Sequence, residues 1–136
     1  NGARKPILVK FTPDLTFEAL NEALQVCTDL GVDGVIAGNT TTSREGLPRS
    51  APQQGGMSGK PLQSRALIVV GHIHRQAPTL PIIGAGGVFH LKDALQLFSA
   101  GASLVQVYTG LVYQGPFLAR TINKGLERRF LARTLS

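Results

Sequence analysis

Apolar runs alternate with amphipathic stretches along the whole chain. The short runs, which are rich in β-branched residues, lie at residues 7–11, 35–37, 80–83 and 104–107. The stretches with apolar residues at helical spacing lie at residues 16–30, 61–76, 91–100 and 116–135. Strands that are apolar on both faces and alternate with helices are typical of a parallel sheet with βαβ crossovers. The pattern therefore predicts an α/β fold with four parallel strands.

Each predicted strand has polar or glycine residues at or just after its carboxyl end. They are Lys10, Asn39, Thr40, Gly86, Gly87, Tyr108 and Thr109. The loops that leave a parallel sheet converge at this edge, and the first N–H groups of the following helices point towards it. We therefore expect these residues to form one ligand site.

Two glycine-bearing turns indicate a phosphate group in that ligand. Residues 84–87 precede a predicted helix, so the backbone can approach an anion closely there. Alone, this run is equally consistent with a tight turn packed on the sheet. A second turn, at residues 108–110, follows the next strand, and the loops after the last two strands of a (β/α)₈ barrel form its common phosphate site. Phe89 excludes a dinucleotide fingerprint, and Pro61 after Gly59 and Lys60 excludes a P-loop.

Three polar side chains supply candidate recognition chemistry. Lys10 interrupts an apolar strand, and a buried ammonium needs a counter-charge or an acceptor such as a ligand oxygen. The alternative is a lysine that reaches solvent at a sheet edge. Asn39 and Thr40 are suited either to turn formation or to hydrogen bonding with the edge of a planar heterocycle.

The composition of the chain indicates a folded protein and excludes several other classes. The chain has 136 residues, 43% of them hydrophobic, which is enough for a packed core. No apolar stretch approaches the roughly 18 residues that a membrane-spanning helix needs, and the polar residues 1–6 predict no signal peptide. The lone Cys27 lies on an apolar helix stripe and is expected in the core. His72 and His74 are two residues apart on a predicted helix and face different ways, so no metal site is expected.

The net charge of +6 is concentrated near the carboxyl end of the chain. Arg120, Lys124 and Arg128 share one face of the last predicted helix, which we expect to lie opposite Phe117, Ile122 and Phe130. A solvated helix face is the simplest interpretation, and contact with an acidic membrane surface is the alternative. Nucleic acid is not expected as a partner, because no aromatic residues are interleaved with the basic ones.

Five strings together resemble one family. They are VKFTPDL (9–15), GNTT (38–41), GMSGKPL (56–62), PIIGAGGV (81–88) and GASLVQVYT (101–109). In this order they resemble the carboxyl-terminal half of class 2 dihydroorotate dehydrogenase, and the SGKPL string resembles class 2 rather than class 1. The resemblance implies a (β/α)₈ barrel that binds FMN, oxidises dihydroorotate to orotate in pyrimidine synthesis, and passes electrons to ubiquinone or menaquinone. It also implies a peripheral membrane protein, on the cytoplasmic side of a bacterial inner membrane or on the mitochondrial inner membrane.

The resemblance assigns roles to individual residues. The matches to FMN-binding positions are Lys10, Gly38, Gly59, Gly86, Gly87, Tyr108 and Thr109, and the matches to orotate-binding positions are Asn39 and Thr40. By resemblance, the lysine lies beside the pyrimidine side of the flavin, and Gly87, Tyr108 and Thr109 belong to the turns that hold its phosphate. Position 38 departs from the family, where it is usually threonine, so a hydroxyl contact to FMN is lost.

The resemblance places the rest of the enzyme outside this chain. The family's catalytic serine and its membrane-docking helices belong to an amino-terminal part without a counterpart here. A complete barrel needs about 250 residues, so residues 1–136 are expected to form four of its eight βα units. Two alternatives remain open. One is another FMN enzyme that acts on a pyrimidine, and the other is an inactive half-barrel that assembles with a partner chain or a membrane.

Overall fold

The computed structural model describes residues 4–48, 50–51 and 54–134, without the side chains of residues 133 and 134. Strands and helices alternate along the chain as the sequence predicts. The strands are β1 (Leu8–Phe11), β2 (Gly34–Ala37), β3 (Ile82–Ala85) and β4 (Leu104–Gln106). The helices are α1 (Phe17–Asp29), α2 (Gln63–Gln76), α3 (Leu91–Ser99), α4 (Thr109–Gln114) and α5 (Leu118–Thr134), and a single 3₁₀ turn, Lys60–Leu62, precedes α2.

The four described strands form one parallel sheet in the order β1-β2-β3-β4. Their register aligns Lys10 with Ile36, Ile36 with Ile83, and Ile83 with Leu104. Because side chains alternate between the faces of a strand, this row lies on one face of the sheet. The predicted α/β fold with four parallel strands is confirmed.

The helices cover only the other face of the sheet. Phe11, Val35 and Ile82 point into that interface, where they join the core formed with the helices. The buried helical residues in the core include Leu20, Leu24, Cys27, Val69, Val70, Ile73, Ala94, Leu97 and Ile122. On the uncovered face, Leu104 of β4 is 61% exposed and Leu8 of β1 is 39% exposed. The sheet is therefore buried on one side and open on the other.

Three local expectations are corrected. The third strand begins at Ile82 rather than at residue 80, because Pro81 has no N–H to donate to a neighbouring strand. Residues 84 and 85 consequently belong to β3, and the turn after it starts at Gly86. The stretch from residue 109 to 114 forms α4, which the sequence did not predict, and Gly115 with φ of +84° ends that helix before Pro116.

The apolar side of α5 is narrower than predicted. Leu118 and Ile122 are buried, whereas Phe117 and Phe130 are 67% and 62% exposed. Gly125 fixes the orientation, since a β-carbon there would lie 2.5 Å from the side chain of Leu91 in α3. At about 100° per residue, the two phenylalanines then fall to the side of the buried stripe. Arg120, Lys124, Arg128 and Arg129 are exposed, as expected.

No helix within the described ranges is long and apolar enough to cross a membrane.

The open face and the two outer strands predict self-association of the isolated chain. Exposed strand edges and apolar sheet faces are sites of pairing between molecules. We expect light scattering after size exclusion to give a mass above that of the monomer. The double substitution Leu8→Lys/Leu104→Lys should lower that mass, whereas Val26→Lys, at an exposed apolar position on α1, should not. A monomer at every concentration would contradict this expectation.

Candidate functional site

A cleft of about 310 Å³ lies at the carboxyl ends of the strands. This volume is at the lower end of the roughly 300–1,000 Å³ typical of cofactor and small-molecule sites. All nine binding residues expected from the sequence line it: Lys10, Gly38, Asn39, Thr40, Gly59, Gly86, Gly87, Tyr108 and Thr109. The structure therefore brings together residues that are up to 99 positions apart in the chain.

Two turns meet at one end of the cleft. A β-carbon on Gly110 would lie 1.9 Å from the carbonyl oxygen of Val88, so the two backbones are in direct contact there. Among the described residues, the backbone N–H groups of Gly87, Val88, Thr109 and Gly110 donate no hydrogen bond. Adjacent N–H groups without acceptors form a concave binding site for an anion. The fit to a phosphate group rests on this observation.

The two residues before α3 donate their N–H groups to a carboxylate. Asp93 accepts hydrogen bonds from the N–H groups of Phe89 (2.9 Å) and His90 (3.0 Å). Its other oxygen accepts from Lys60 Nζ (2.9 Å) and from Gln63 Nε2 (2.6 Å). Burial raises the pKa of Asp93, but these four donors outweigh it and hold that pKa below its usual value. The N–H groups of Phe89 and His90 are therefore satisfied within the protein, whereas those of Gly87 and Val88 remain candidate anion contacts.

A second carboxylate holds the loop after β2. Asp14 accepts hydrogen bonds from the hydroxyl of Thr41 and from the backbone N–H and hydroxyl of Thr42, the latter two at 2.8 and 3.0 Å. The Thr41 hydroxyl has the largest effect in lowering the pKa of Asp14, followed by the Thr42 N–H. The loop of Asp14 is itself held by Arg65, which donates to the carbonyl oxygens of Pro13 (2.9 Å) and Leu15 (3.1 Å).

Asn39 and Thr40 lie exposed on this anchored loop. The side-chain oxygen of Asn39 accepts the N–H of the next residue, Thr40, at 2.9 Å, and residues 38–40 do not form a turn. The amide NH₂ group of Asn39 remains able to donate to a ligand.

Lys10 is placed differently from expectation. It lies on β1 at the edge of the open face and is exposed rather than buried. The salt bridges of the described residues join Arg4 to Asp33 and Lys60 to Asp93, and none involves Lys10. It is also the only charged residue among the described residues that line the cleft. The cleft thus carries one cation that is free to meet a ligand.

The backbone at position 38 explains why glycine stands there. Its φ is +125°, and a β-carbon would lie 2.0 Å from the carbonyl oxygen of Ala85. A threonine could not occupy this position unless the two strand ends moved apart. Gly38 therefore allows β2 and β3 to approach closely at the floor of the cleft.

Seven further residues line the cleft without having been assigned to it from the sequence, among them Ser58, Ala85 and Gln106. Ser58 accepts a hydrogen bond from the Thr109 hydroxyl at 2.9 Å and so joins the loop before α2 to the turn after β4. Gln106 and Ala85 are register partners that face the cleft. A period of two along β4 could have identified Gln106, whereas Ser58 depends on how a long loop folds back.

The described residues that line the cleft are suited to binding a ligand. The described residues that line it include no histidine, cysteine, aspartate or glutamate, and no group of three potential metal ligands occurs in the described part of the chain. His72 instead lies in a stack with Phe17, with ring centroids 4.2 Å apart. One cation, several amides and an anion-binding backbone suit a planar ligand with a phosphate.

Four βα units with a ligand-sized cleft at the carboxyl ends of the strands define a parallel α/β protein of the TIM-barrel type. A family model described as dihydroorotate dehydrogenase matches residues 1–130. A protein of Chloroflexus aurantiacus named dihydroorotate dehydrogenase (quinone) is 54% identical over 127 residues, which cover 90% of this chain. One of the same name from Anaeromyxobacter sp. is 51% identical over 91% of the chain. The chain belongs to the dihydroorotate dehydrogenase family, so the resemblance noted in the sequence is confirmed.

Solved structures indicate the same family. The crystal structure of dihydroorotate dehydrogenase from Eimeria tenella in complex with ferulenol superposes with a TM-score of 0.88 at 34% identity, over 99% of this chain and 37% of that one. The chain spans about 35% of the length of the Chloroflexus and Anaeromyxobacter relatives. A chimera in which this chain replaces the matching segment of the Chloroflexus relative, hereafter the chimera, therefore provides a full-length context for experiments.

We expect Gly38→Ala to destabilise the chimera more than Gly31→Ala does. Both glycines have positive φ, but a β-carbon at Gly31 would meet nothing within 4 Å. Gly31→Ala should thus cost only about 1–2 kcal/mol of backbone strain. Gly38→Ala should cost about 1–3 kcal/mol more, because of its overlap with Ala85. Urea unfolding measures the difference, and equal losses for the two variants would refute this account of Gly38.

The stability contributed by Asp14 should depend on pH. Its pKa is lower in the folded chain than its usual value of 3.8. The contribution is therefore complete above about pH 5 and is lost as the pH falls below about 4 through the folded value. Unfolding of the chimera and of its Asp14→Asn variant across this range should show a gap that closes in acid. Two parallel profiles would contradict the proposed anchoring of the loop.

Proposed function

We propose that this chain is the carboxyl-terminal half of a (β/α)₈ barrel that oxidises dihydroorotate to orotate with a quinone as electron acceptor, in the de novo synthesis of pyrimidine nucleotides. The role of this chain in the enzyme is to bind FMN and the substrate. The observation that carries the proposal is the convergence of all nine expected residues on one cleft, in a chain that belongs to the dihydroorotate dehydrogenase family.

The phosphate of FMN would bind at the two adjoining turns. The N–H groups of Gly87 and Thr109 donate no hydrogen bond to the described part of the protein, and a phosphate oxygen is a suitable acceptor. Gly86 and Tyr108 begin the two turns and would complete the cradle. Gly59 lies against Thr109, since a β-carbon there would be 3.1 Å from its methyl group, so the Gly59 backbone would bind the cofactor beside this turn.

Lys10 would supply the positive charge beside the isoalloxazine ring. FMN, when bound, provides the hydride acceptor for the substrate and the electron donor for the quinone. The ammonium has no ion-pair partner among the described residues, so its charge would be directed at the ligand. A fixed cation stabilises negative charge that develops on the ring during the reaction.

Asn39 and Thr40 would hold the orotate ring. Their loop is anchored by Asp14, so these two side chains are presented with little freedom. Amide and hydroxyl groups at the edge of a flat ring fix its orientation, which the removal of a hydride and a proton requires. Gly38, directly before them, brings the loop close to β3.

The base that removes the substrate proton would come from the amino-terminal half of the barrel. The resemblance assigns that base to a serine of the amino-terminal part, and the described lining residues of this chain include no carboxylate, imidazole or thiol. The two halves would therefore divide the reaction, with binding and electrostatics here and proton removal there. We expect no turnover from the chain by itself.

We also propose peripheral binding to a membrane, on the cytoplasmic side of a bacterial inner membrane or on the mitochondrial inner membrane. Ubiquinone and menaquinone are lipid-soluble, so an enzyme that reduces them must reach the bilayer. The exposed basic residues of α5, among them Arg120 and Lys124, would add attraction to acidic headgroups.

Two other functions are distinguished by direct measurement. An FMN enzyme for a different pyrimidine would bind flavin but would not reduce a quinone with dihydroorotate. A half-barrel that serves only assembly would bind a partner and take up no FMN.

The chimera should contain FMN and should reduce a quinone analogue with dihydroorotate. Lys10→Ala should lower its turnover by about 10²–10³-fold, because the fixed charge beside the flavin is removed. Lys5→Ala provides the matched control, since this exposed lysine lies outside the cleft and its loss should change turnover less than about twofold. Absorbance of bound flavin and steady-state rates measure both effects. A chimera without flavin, or equal rates for the two variants, would overturn the proposal.

A further inference from the structure

We propose that Asp93 is a positioning residue that sets the separation of the loops around the phosphate end of the cleft. This inference rests on the proposed function, because it concerns how the FMN phosphate is held. Asp93 does not line the cleft itself, and neither the cofactor nor the substrate would contact it.

Among the described residues, Asp93 is the charged residue that is buried. It is 5% exposed, whereas its partner Lys60 is 58% exposed in its side chain. A buried carboxylate is costly unless it is hydrogen-bonded by several donors. All donors to Asp93 come from segments that enter or leave the cleft. Their hydrogen bonds offset the free energy cost of burying the carboxylate, and they join those segments to each other.

The two carboxylate oxygens bond to different segments of the chain. Oδ2 accepts from the N–H groups of Phe89 and His90, at the end of the turn that starts at Gly86. Oδ1 accepts from Lys60 and Gln63, which follow Gly59 at the start of α2. A simple helix cap would need only the first set of bonds. The second set joins the loop of Gly59 to the turn of Gly86 and Gly87.

Close packing transmits the position of Asp93 to the anion-binding groups. A β-carbon on Gly87 would lie 2.5 Å from the β-carbon of Gln63, so the turn rests directly on the first residue of α2. Ser58, two residues before Lys60, accepts the hydroxyl hydrogen bond of Thr109. A shift of the segment from Ser58 to Gln63 would therefore move both phosphate-binding turns relative to each other.

The test compares two flavins that differ in the phosphate. FMN and riboflavin share the ring, and riboflavin lacks the phosphate, so a residue that positions the phosphate cradle should affect FMN binding alone. The dissociation constants of both flavins are measured by fluorescence quenching in the chimera and its variants, with far-UV circular dichroism and melting to confirm folding.

Asp93→Asn should raise the dissociation constant of FMN about tenfold, since the amide cannot accept from both sides and leaves buried donors unpaired. The constant for riboflavin should stay within about twofold. Gln63→Met is the second variant if Asp93→Asn does not fold. This substitution leaves the hydrogen bonds to Oδ2 intact and removes one donor to Oδ1. It should raise the dissociation constant of FMN by about threefold, again without an effect on riboflavin binding.

Asp33→Asn is the matched control. Asp33 also accepts a backbone N–H, that of Ile7 at 2.7 Å, but it precedes β2 and so lies at the opposite end of the sheet. Its loss should leave both constants unchanged. Unchanged FMN binding in Asp93→Asn and Gln63→Met, or an equal loss for both flavins, would overturn the inference while the proposed function stands. Failure of the unsubstituted chimera to bind either flavin would overturn both.

Discussion

Because the four strands run in the same direction in one register, every loop that leaves the sheet reaches the same edge. Lys10, Ile36, Ile83 and Leu104 form one row across the sheet, and the residues after them line one cleft. A shift of a strand by a single residue would turn its side chains to the other face. The site thus depends on the register more than on any one contact within the cleft.

Two carboxylates outside the cleft hold the loops that form it. Asp14 binds the loop of Asn39 and Thr40, and Asp93 binds the segments that carry Gly59 and Gly86. Each carboxylate accepts hydrogen bonds from loop segments, so the open N–H groups and side chains of the cleft are held in place before a ligand arrives. Preorganised polar groups of this kind need no rearrangement when charge appears on a ligand.

The open sheet face and the kinds of residue in the cleft are both explained if this chain is one part of a barrel. Leu104 is exposed on the face that a closed barrel would cover, and the described lining residues supply binding groups without a carboxylate, imidazole or thiol. In a barrel, catalytic residues come from the ends of several strands. A chain that spans about a third of its relatives' length would provide only some of these residues, which agrees with a binding role for this part of the protein.

The sequence by itself determined the alternation of strands and helices, the identity of the residues at the strand ends, and the family, because periodicity and local strings are properties of neighbouring residues. Only the tertiary structure decided that Lys10 is exposed, that α4 forms, that Gly38 is required by the carbonyl of Ala85, and that Asp93 joins two loops. These features depend on contacts between segments distant in the chain, such as the 33 residues between Lys60 and Asp93. Such contacts arise from packing of the backbone in three dimensions, which no local pattern of residues encodes.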